Sequence, residues 1–436
     1  MTVLRPMPVS RATSGEDEHV HRRTMVAAST LLCLLFISAC AQAQTLGDVI
    51  KYAVNHYPAI AQAEANAAAA EAELAKAQAA YWPTVGVEAY GQNDYKRYRS
   101  DMTRPTLGVG PVAKIPIYTF GRIESEIDRQ SALKDAADKK ISSARDDTAL
   151  AAAENYLAWA RSLELLDLAK ENLTGHQRIH DDTLKIVQSD PGRQFDQIQA
   201  ATRLEGARLL FAQREAEVQQ AAARLARYWP SPMPAVKSAN PRGLDDFRGQ
   251  MPKSSEAAYL DSEKSHPYLN ALAAQITAAE AGISSAKAQT RPSISAQVSS
   301  LNNGTAQLVF NLPLFDRGAT DGTVKAAIAS AGAARMALDE GRLQIREKIL
   351  ISLVDFKTAE KRKQVSEDQA KKGRQLLTAY REQFLAGRRT LLDLLQTQND
   401  YFGYRMTTTT GLFDIRLSRF RLMAAMGRIA TAYEKN

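Results

Sequence analysis

Two rhythms alternate along this chain. At Thr84 the apolar Val85, Val87 and Ala89 begin to alternate with Thr84, Gly86, Glu88 and Tyr90, a period of two that predicts a strand with unlike faces. A polar stretch follows, NDYKRYRSDMTR, and alternation resumes at Leu107 and Val109, leading to Ile115 and Ile117. The same arrangement returns later. Ile294, Ala296 and Val298 alternate with Ser293, Ser295 and Gln297, and Ala306, Leu308, Phe310 and Leu312 alternate with Gln307, Val309 and Asn311. Between them Asn302-Asn303-Gly304 is a tight-hairpin signal. Each hairpin is expected to have strands of about 10–12 residues, enough to cross an outer membrane at a tilt.

The other rhythm is helical. Leu46, Val49, Ile50 and Ala53 mark one face of a short helix over Thr45 to His56, and Pro58 opens a second helix that runs to Trp82, where Pro83 stops it. After Gly121 and after Gly318 the helical period persists without proline as far as Asp190 and Gly387, roughly 100 Å each if straight. Within these, Leu150, Ala153, Leu157 and Ala160, and Val324, Ala327, Ala331, Ala334 and Leu338, step by 3 and 4, a coiled-coil spacing with small side chains. Asp190-Pro191-Gly192 and Ala386-Gly387-Arg388 turn the chain, and helices return from Asp196 to Tyr228 and from Leu391 to about Arg428.

The two passages are copies. Pro58 and Pro83 recur 209 positions later as Pro267 and Pro292; Pro116, Gly121 and Asp196 recur 197 positions later as Pro313, Gly318 and Asp393. A constant offset with one deletion of 12 residues defines an internal duplication. The expected organisation is a leader over 1–43, a first repeat over 44–229 (hairpin about 84–117, helical hairpin 121–229), a proline-rich linker over 230–254, and a second repeat over 255–436 (hairpin about 292–315, helical hairpin 318–430). The fold class is α+β and mainly α.

The leader has Arg22 and Arg23 ahead of an apolar run from Val26 to Ser38, too short to span a bilayer as a helix. Ala41-Gln42-Ala43 suits cleavage after Ala43, while Ile37-Ser38-Ala39-Cys40 suits lipid attachment at Cys40; both readings stand. Cys33 and Cys40 are the only cysteines, so cleavage after Ala43 leaves a chain with neither disulfide nor thiolate metal site. Of the net charge of +8, the leader holds +1 (four arginines against three acidic residues). The remainder fits either a solvated surface or a basic lumen or contact face. No nucleic-acid module is present. His176 and His180 share a helix face but lack a third ligand, and no nucleophile–base set stands out, so no enzyme, cofactor or metal is expected. Four strands cannot close a barrel, for which eight is the minimum, so several chains must contribute.

Behind a leader, the twofold order of helix, hairpin, long helix, tip and returning helix resembles the TolC family of outer-membrane efflux and secretion ducts. IPIYTFG (Ile115 to Gly121), LPLFDRG (Leu312 to Gly318) and AGRRTLLDLLQTQ (Ala386 to Gln398) carry the likeness. It implies a homotrimer with one 12-stranded β-barrel above a hollow α-barrel, seated in the outer membrane of a Gram-negative bacterium and reaching far into the periplasm. It also implies a periplasmic adaptor, an inner-membrane ABC or proton-driven transporter, and an exported cargo. Pro116, Gly121, Pro313 and Gly318 fall at the strand-to-helix exits. At the tips it implies a polar link from Arg389 to Asp196, with Phe384 standing where the family has an aromatic hydroxyl. Asp393 would line the constriction, and Gln396 replaces a second aspartate there. The second tip and the run from Asp400 to Gly427 resemble the type I secretion branch serving adhesins and agglutination factors. The drug-efflux branch, a periplasmic adaptor and a pore-less coiled-coil spacer are the alternatives.

Overall fold

The computed structural model describes residues 45–92, 106–230, 247, 251–300 and 304–434. The leader with Cys40, the polar loop after Gln92, most of the linker, and Asn302 and Asn303 lie outside the described residues. The elements run α1 (Leu46–His56), α2 (Pro58–Ala79), β1 (Thr84–Gln92), β2 (Thr106–Tyr118), α3 (Arg122–Ser189), a 3-10 turn (Pro191–Arg193) and α4 (Gln194–Leu225). The second repeat gives α5 (Ser255–Ser265), α6 (Pro267–Ala288), β3 (Ser293–Ser299), β4 (Thr305–Asn311), α7 (Ala319–Leu385), α8 (Leu391–Ala425) and a short α9 (Ile429–Glu434).

The four strands form one antiparallel sheet in the order β1-β2-β3-β4. Its register gathers the alternating residues onto two unlike faces. Val85 faces Ala113, Val87 faces Pro111 and Ala89 faces Val109. Ala113 faces Val298, and Ile115 faces Ala296. Val298 faces Ala306, Ala296 faces Leu308, and Ile294 faces Phe310. Since side chains alternate across a sheet, all of these share one face, which is wholly apolar. The opposite face carries Thr84, Glu88, Lys114, Ser295, Gln297, Thr305 and Gln307. β1 and β4 each leave an edge without a partner among the described residues.

The second hairpin is shorter than the alternation suggested. β1 and β2 have 9 and 13 residues, but β3 and β4 have 7 each. β2 continues through Pro116, with a bulge between Pro116 and Tyr118, because β3 pairs it there. β4 stops at Asn311. It is an edge strand, and Pro313 offers no N–H to extend it.

Both sheet-to-helix exits use the same device. Phe120 and Gly121 (φ +51° and +83°) and Arg317 and Gly318 (φ +55° and +86°) place two successive residues in the left-handed region, swinging the strand into α3 or α7. Glycine holds the more strained second position, where a Cβ is disfavoured. Beyond it, chains rich in alanine and long straight side chains propagate 68- and 67-residue helices.

The helices lie side by side as a strip. Beneath the sheet the order is α2, α3, α6, α7; toward the tips it is α4, α3, α8, α7. Midway, α1, α5 and α9 pack on this strip, and the largest apolar cluster forms there around Leu46, Ile50, Leu157, Leu225, Phe420 and Tyr433. Among the described residues, no helix is long and apolar enough to cross a membrane.

His266 sits at this midpoint, capping α6. Its Nδ1 accepts from the Tyr268 N–H at 3.2 Å, so the capping role requires the neutral ring. Burial pushes its pKa down to about 4. The unfolded chain therefore binds this proton more readily, with an ordinary imidazole pKa near 6.5. The contribution of His266 to stability is complete above about pH 6.5. It is lost as pH falls toward 4, reaching roughly 3 kcal/mol. Between pH 7 and pH 4.5 the thermal midpoint of the natural protein is expected to drop further than that of His266→Asn, which keeps a capping side chain. Equal drops would place the acid sensitivity elsewhere.

Candidate functional site: the helical tips

The two tips close by different means. At the second, Gly387 (φ +71°) follows α7, its N–H donating to the Phe384 carbonyl at 3.0 Å, while Arg388 N–H donates to that of Gln383 at 2.8 Å. This pair of bonds satisfies the last carbonyls of the helix. Thr390 then caps α8, accepting from the Asp393 N–H and donating its hydroxyl to Asp393 Oδ2 at 2.9 Å. At the first tip the Asp190 side chain accepts from Gly192 N–H across the Pro191–Arg193 turn.

Phe384 is completely buried in a cluster with Ile179, Ala200, Leu391, Leu394 and Leu395, so α3, α4, α7 and α8 share one apolar core at this end. It anchors the tip; the Tyr380 ring lies one helical turn earlier on α7, packed against the same cluster. The Arg389 guanidinium stacks over the Tyr380 ring at 4.3 Å, reaches Gln383 Oε1 at 3.1 Å and lies 3.7 Å from Asp393. Within one chain it does not meet Asp196. That carboxylate is held by Arg193, with Nε at 2.8 Å and Nη2 at 2.7 Å. The reason is proximity along one helix: Arg193 and Asp196 are three residues apart and face each other across the first turn of α4. Gln396 donates to Asp400 at 2.9 Å, a contact within α8.

Just above the tips, three polar contacts join the two helical hairpins. Arg381 of α7 grips Asp182 of α3 through Nε and Nη2, both on Oδ2, at 2.9 and 2.8 Å. Gln398 of α8 donates to Asn172 of α3 at 2.9 Å in a buried bond. Arg405 of α8 meets Glu171 of α3 at 3.1 Å. His176 is buried along the same seam, and burial lowers its pKa, favouring the neutral ring. His180 points instead to Asp181. Asp182 and Arg381 left no mark in the sequence, because they occupy inequivalent positions of the two repeats. Arg193 could have been found from its spacing to Asp196.

Hydrophobic residues are exposed around this end: Phe195 and Ile198 on α4, Leu385 on α7 and Leu392 on α8. Among the described residues, no group of three or more His, Cys, Asp or Glu side chains is disposed to hold a metal ion.

The profile of a family described as "Outer membrane efflux protein" matches residues 49–230 and 259–428, most of both repeats. Protein CyaE of Bordetella pertussis is 23% identical over 408 residues, covering 88% of this chain and 84% of its own. Outer membrane efflux protein BepC of Brucella suis is 23% identical over 192 residues, 41% of this chain and 42% of its own length. Among solved structures, CusC, whose crystal structures concern folding and transmembrane channel formation, superposes with a TM-score of 0.76 at 18% identity. That likeness covers 88% of this chain and 92% of CusC, and it establishes the fold.

Proposed function

Because the chain belongs to the outer membrane efflux protein family, we propose that three copies close into the passive duct of a type I protein-secretion system. The coarser identity carries no proposal: this is an outer-membrane channel protein of the TolC kind, with a large periplasmic helical portion, and not an enzyme. The pore-less spacer and the adaptor, open from the sequence, fall away with it.

One observation supports the trimer above the rest: a sheet with one apolar face, one polar face and two unpaired edges. Alternation of strand direction lets β4 of one copy pair antiparallel with β1 of the next. Three copies give twelve strands, above the minimum of eight, with the apolar face to lipid and the polar face to water. The helices are likewise a strip open along both sides, and the same closure turns them into a tube. Glu88 and Lys114 on the polar face balance each other, which favours a near-neutral barrel lumen over a strongly basic one.

The secretion branch is supported by the second tip, AGRRTLLDLLQTQ, and by the run to Gly427. An adaptor would dock its own helices against the exposed Phe195, Ile198, Leu385 and Leu392, a helix-in-groove mode of recognition. An inner-membrane transporter would supply the energy. Small-molecule efflux is the second reading, favoured by the BepC match.

The deciding experiment is gene deletion with two readouts. Loss of a large secreted protein from the medium and surface, with unchanged susceptibility to small toxic compounds, is the expected result. Unchanged secretion with heightened susceptibility would move the assignment to efflux. Separately, heat-modifiable trimers should be recovered from the outer-membrane fraction.

A further inference from the structure

The duplication makes the interior of one chain a template for the contact between two. Toward the tips, α3 is covered on both sides, by α4 and by α8. Its counterpart α7, 197 positions later, is flanked there by α8 on one side and, among the described residues, by no helix on the other. The counterpart of α8 is α4, whose outer side is also bare. We propose that α7 of one subunit packs against α4 of the next in the register that α3 and α8 already use within the chain, with Arg208 of the next copy paired to Asp368.

Three sets of residues carry this. First, Leu157, Leu168 and Ile179 are spaced by 11, one face of a helix, and all are buried among residues that include those of α8. Shifted by 197 they become Val354, Val365 and Leu376, still apolar but 61%, 52% and 46% exposed. Leu395, buried beside Ile179, becomes Ile198 of α4, which is exposed. Second, the Arg405–Glu171 ion pair between α8 and α3 maps onto Arg208 and Asp368, the same charges at the same repeat positions. Among the described residues Arg208 pairs with Glu205 on its own helix, and Asp368 with Lys371, at 4.0 Å.

The third set lies at the membrane end. Arg291 at the end of α6 donates to the Phe120 carbonyl at 2.9 Å and covers Gly121. The equivalent exit, at Gly318, has nothing within 4 Å of a Cβ built there, and the equivalent of Arg291 is Trp82, 73% exposed at the other side of the strip. Closing the strip on a second copy brings the Trp82 indole to the Gly318 exit. Surfaces bare in one chain and apolar at positions buried in its own repeat select another copy of this chain as occupant, rather than an unrelated protein.

This inference rests on the trimeric-duct reading and adds its register. The test is oxidative cross-linking of full-length Ile198→Cys/Leu376→Cys in outer membranes, read as dimer and trimer bands on non-reducing gels. The two single variants control for Cys33 and Cys40. Arg208→Glu is expected to lower the temperature at which trimers dissociate, and adding Asp368→Arg to restore it. Trimers of correct mass that fail to cross-link, with no effect of Arg208→Glu, would overturn the register and leave the duct intact. A monomeric natural protein would overturn both.

Discussion

Val87→Arg combined with Leu308→Arg is expected to remove the protein from the outer membrane. Both residues lie on the apolar face, in mid-strand of β1 and β4, and both are highly exposed in the single chain. An arginine near the bilayer midplane of a barrel costs about 2–4 kcal/mol. A trimer carries each substitution three times, so even one of them amounts to roughly 6–12 kcal/mol per assembly. That is comparable to the entire stability of an ordinary domain. The expected result is loss of the heat-modifiable trimer from the outer-membrane fraction, with protein recovered degraded or in the periplasm. Gln307→Arg supplies the control. Its neighbour in sequence is Leu308, yet it belongs to the polar face opposite Gln297, and trimers should persist. If Val87→Arg/Leu308→Arg assembled as well as Gln307→Arg, the apolar face would not be the lipid face.

The second large effect is at the tips. Asp182→Ala is expected to raise the conductance of purified trimers in planar bilayers, whereas Arg389→Ser changes it little. Asp182 is nearly buried and takes two guanidinium hydrogen bonds from Arg381, across from one helical hairpin to the other. A hydrogen bond to a charged group contributes about 1.5–3 kcal/mol. Arg381 is partly exposed, which favours the lower end of that range. If the hold exists only in the closed arrangement, its loss shifts the opening equilibrium by at least roughly tenfold per subunit. Arg389, by contrast, spends its contacts on Tyr380, Gln383 and Asp393 of its own hairpin. Equal conductance of Asp182→Ala and the natural protein, alongside a conducting Arg389→Ser, would return the latch to Arg389 and a contact with a neighbouring subunit.

The sequence made the architecture legible because the signals were periodic and stated twice. Alternation located all four strands, the paired glycines 121 and 318 located both sheet exits, and long uninterrupted helical periods located α3 and α7. What stayed hidden depended on partners. The lengths of β3 and β4 are set by which strands lie beside them, and nothing local announces an edge. The Asp182–Arg381 bond joins residues 199 apart that are not repeat equivalents. The reading of Arg389 against Asp196 came from resemblance alone, and within the chain a nearer arginine, Arg193, already occupies that carboxylate. Asp393, read as a constriction residue, also caps α8 through Thr390, so replacing it would disturb the helix start as well as any charge ring.

The repeats agree in outline yet differ in how they fasten. The buried Gln398–Asn172 bond and the Arg381–Asp182 grip bind one half of the chain to the other. At the corresponding places stand Ala201 with Gln369, and Leu184 with Ala379, which offer no such bonds. In the proposed ring of three chains these bonds recur at three of the six seams between repeats, so releasing them widens the mouth along three lines, not six, as a triangle.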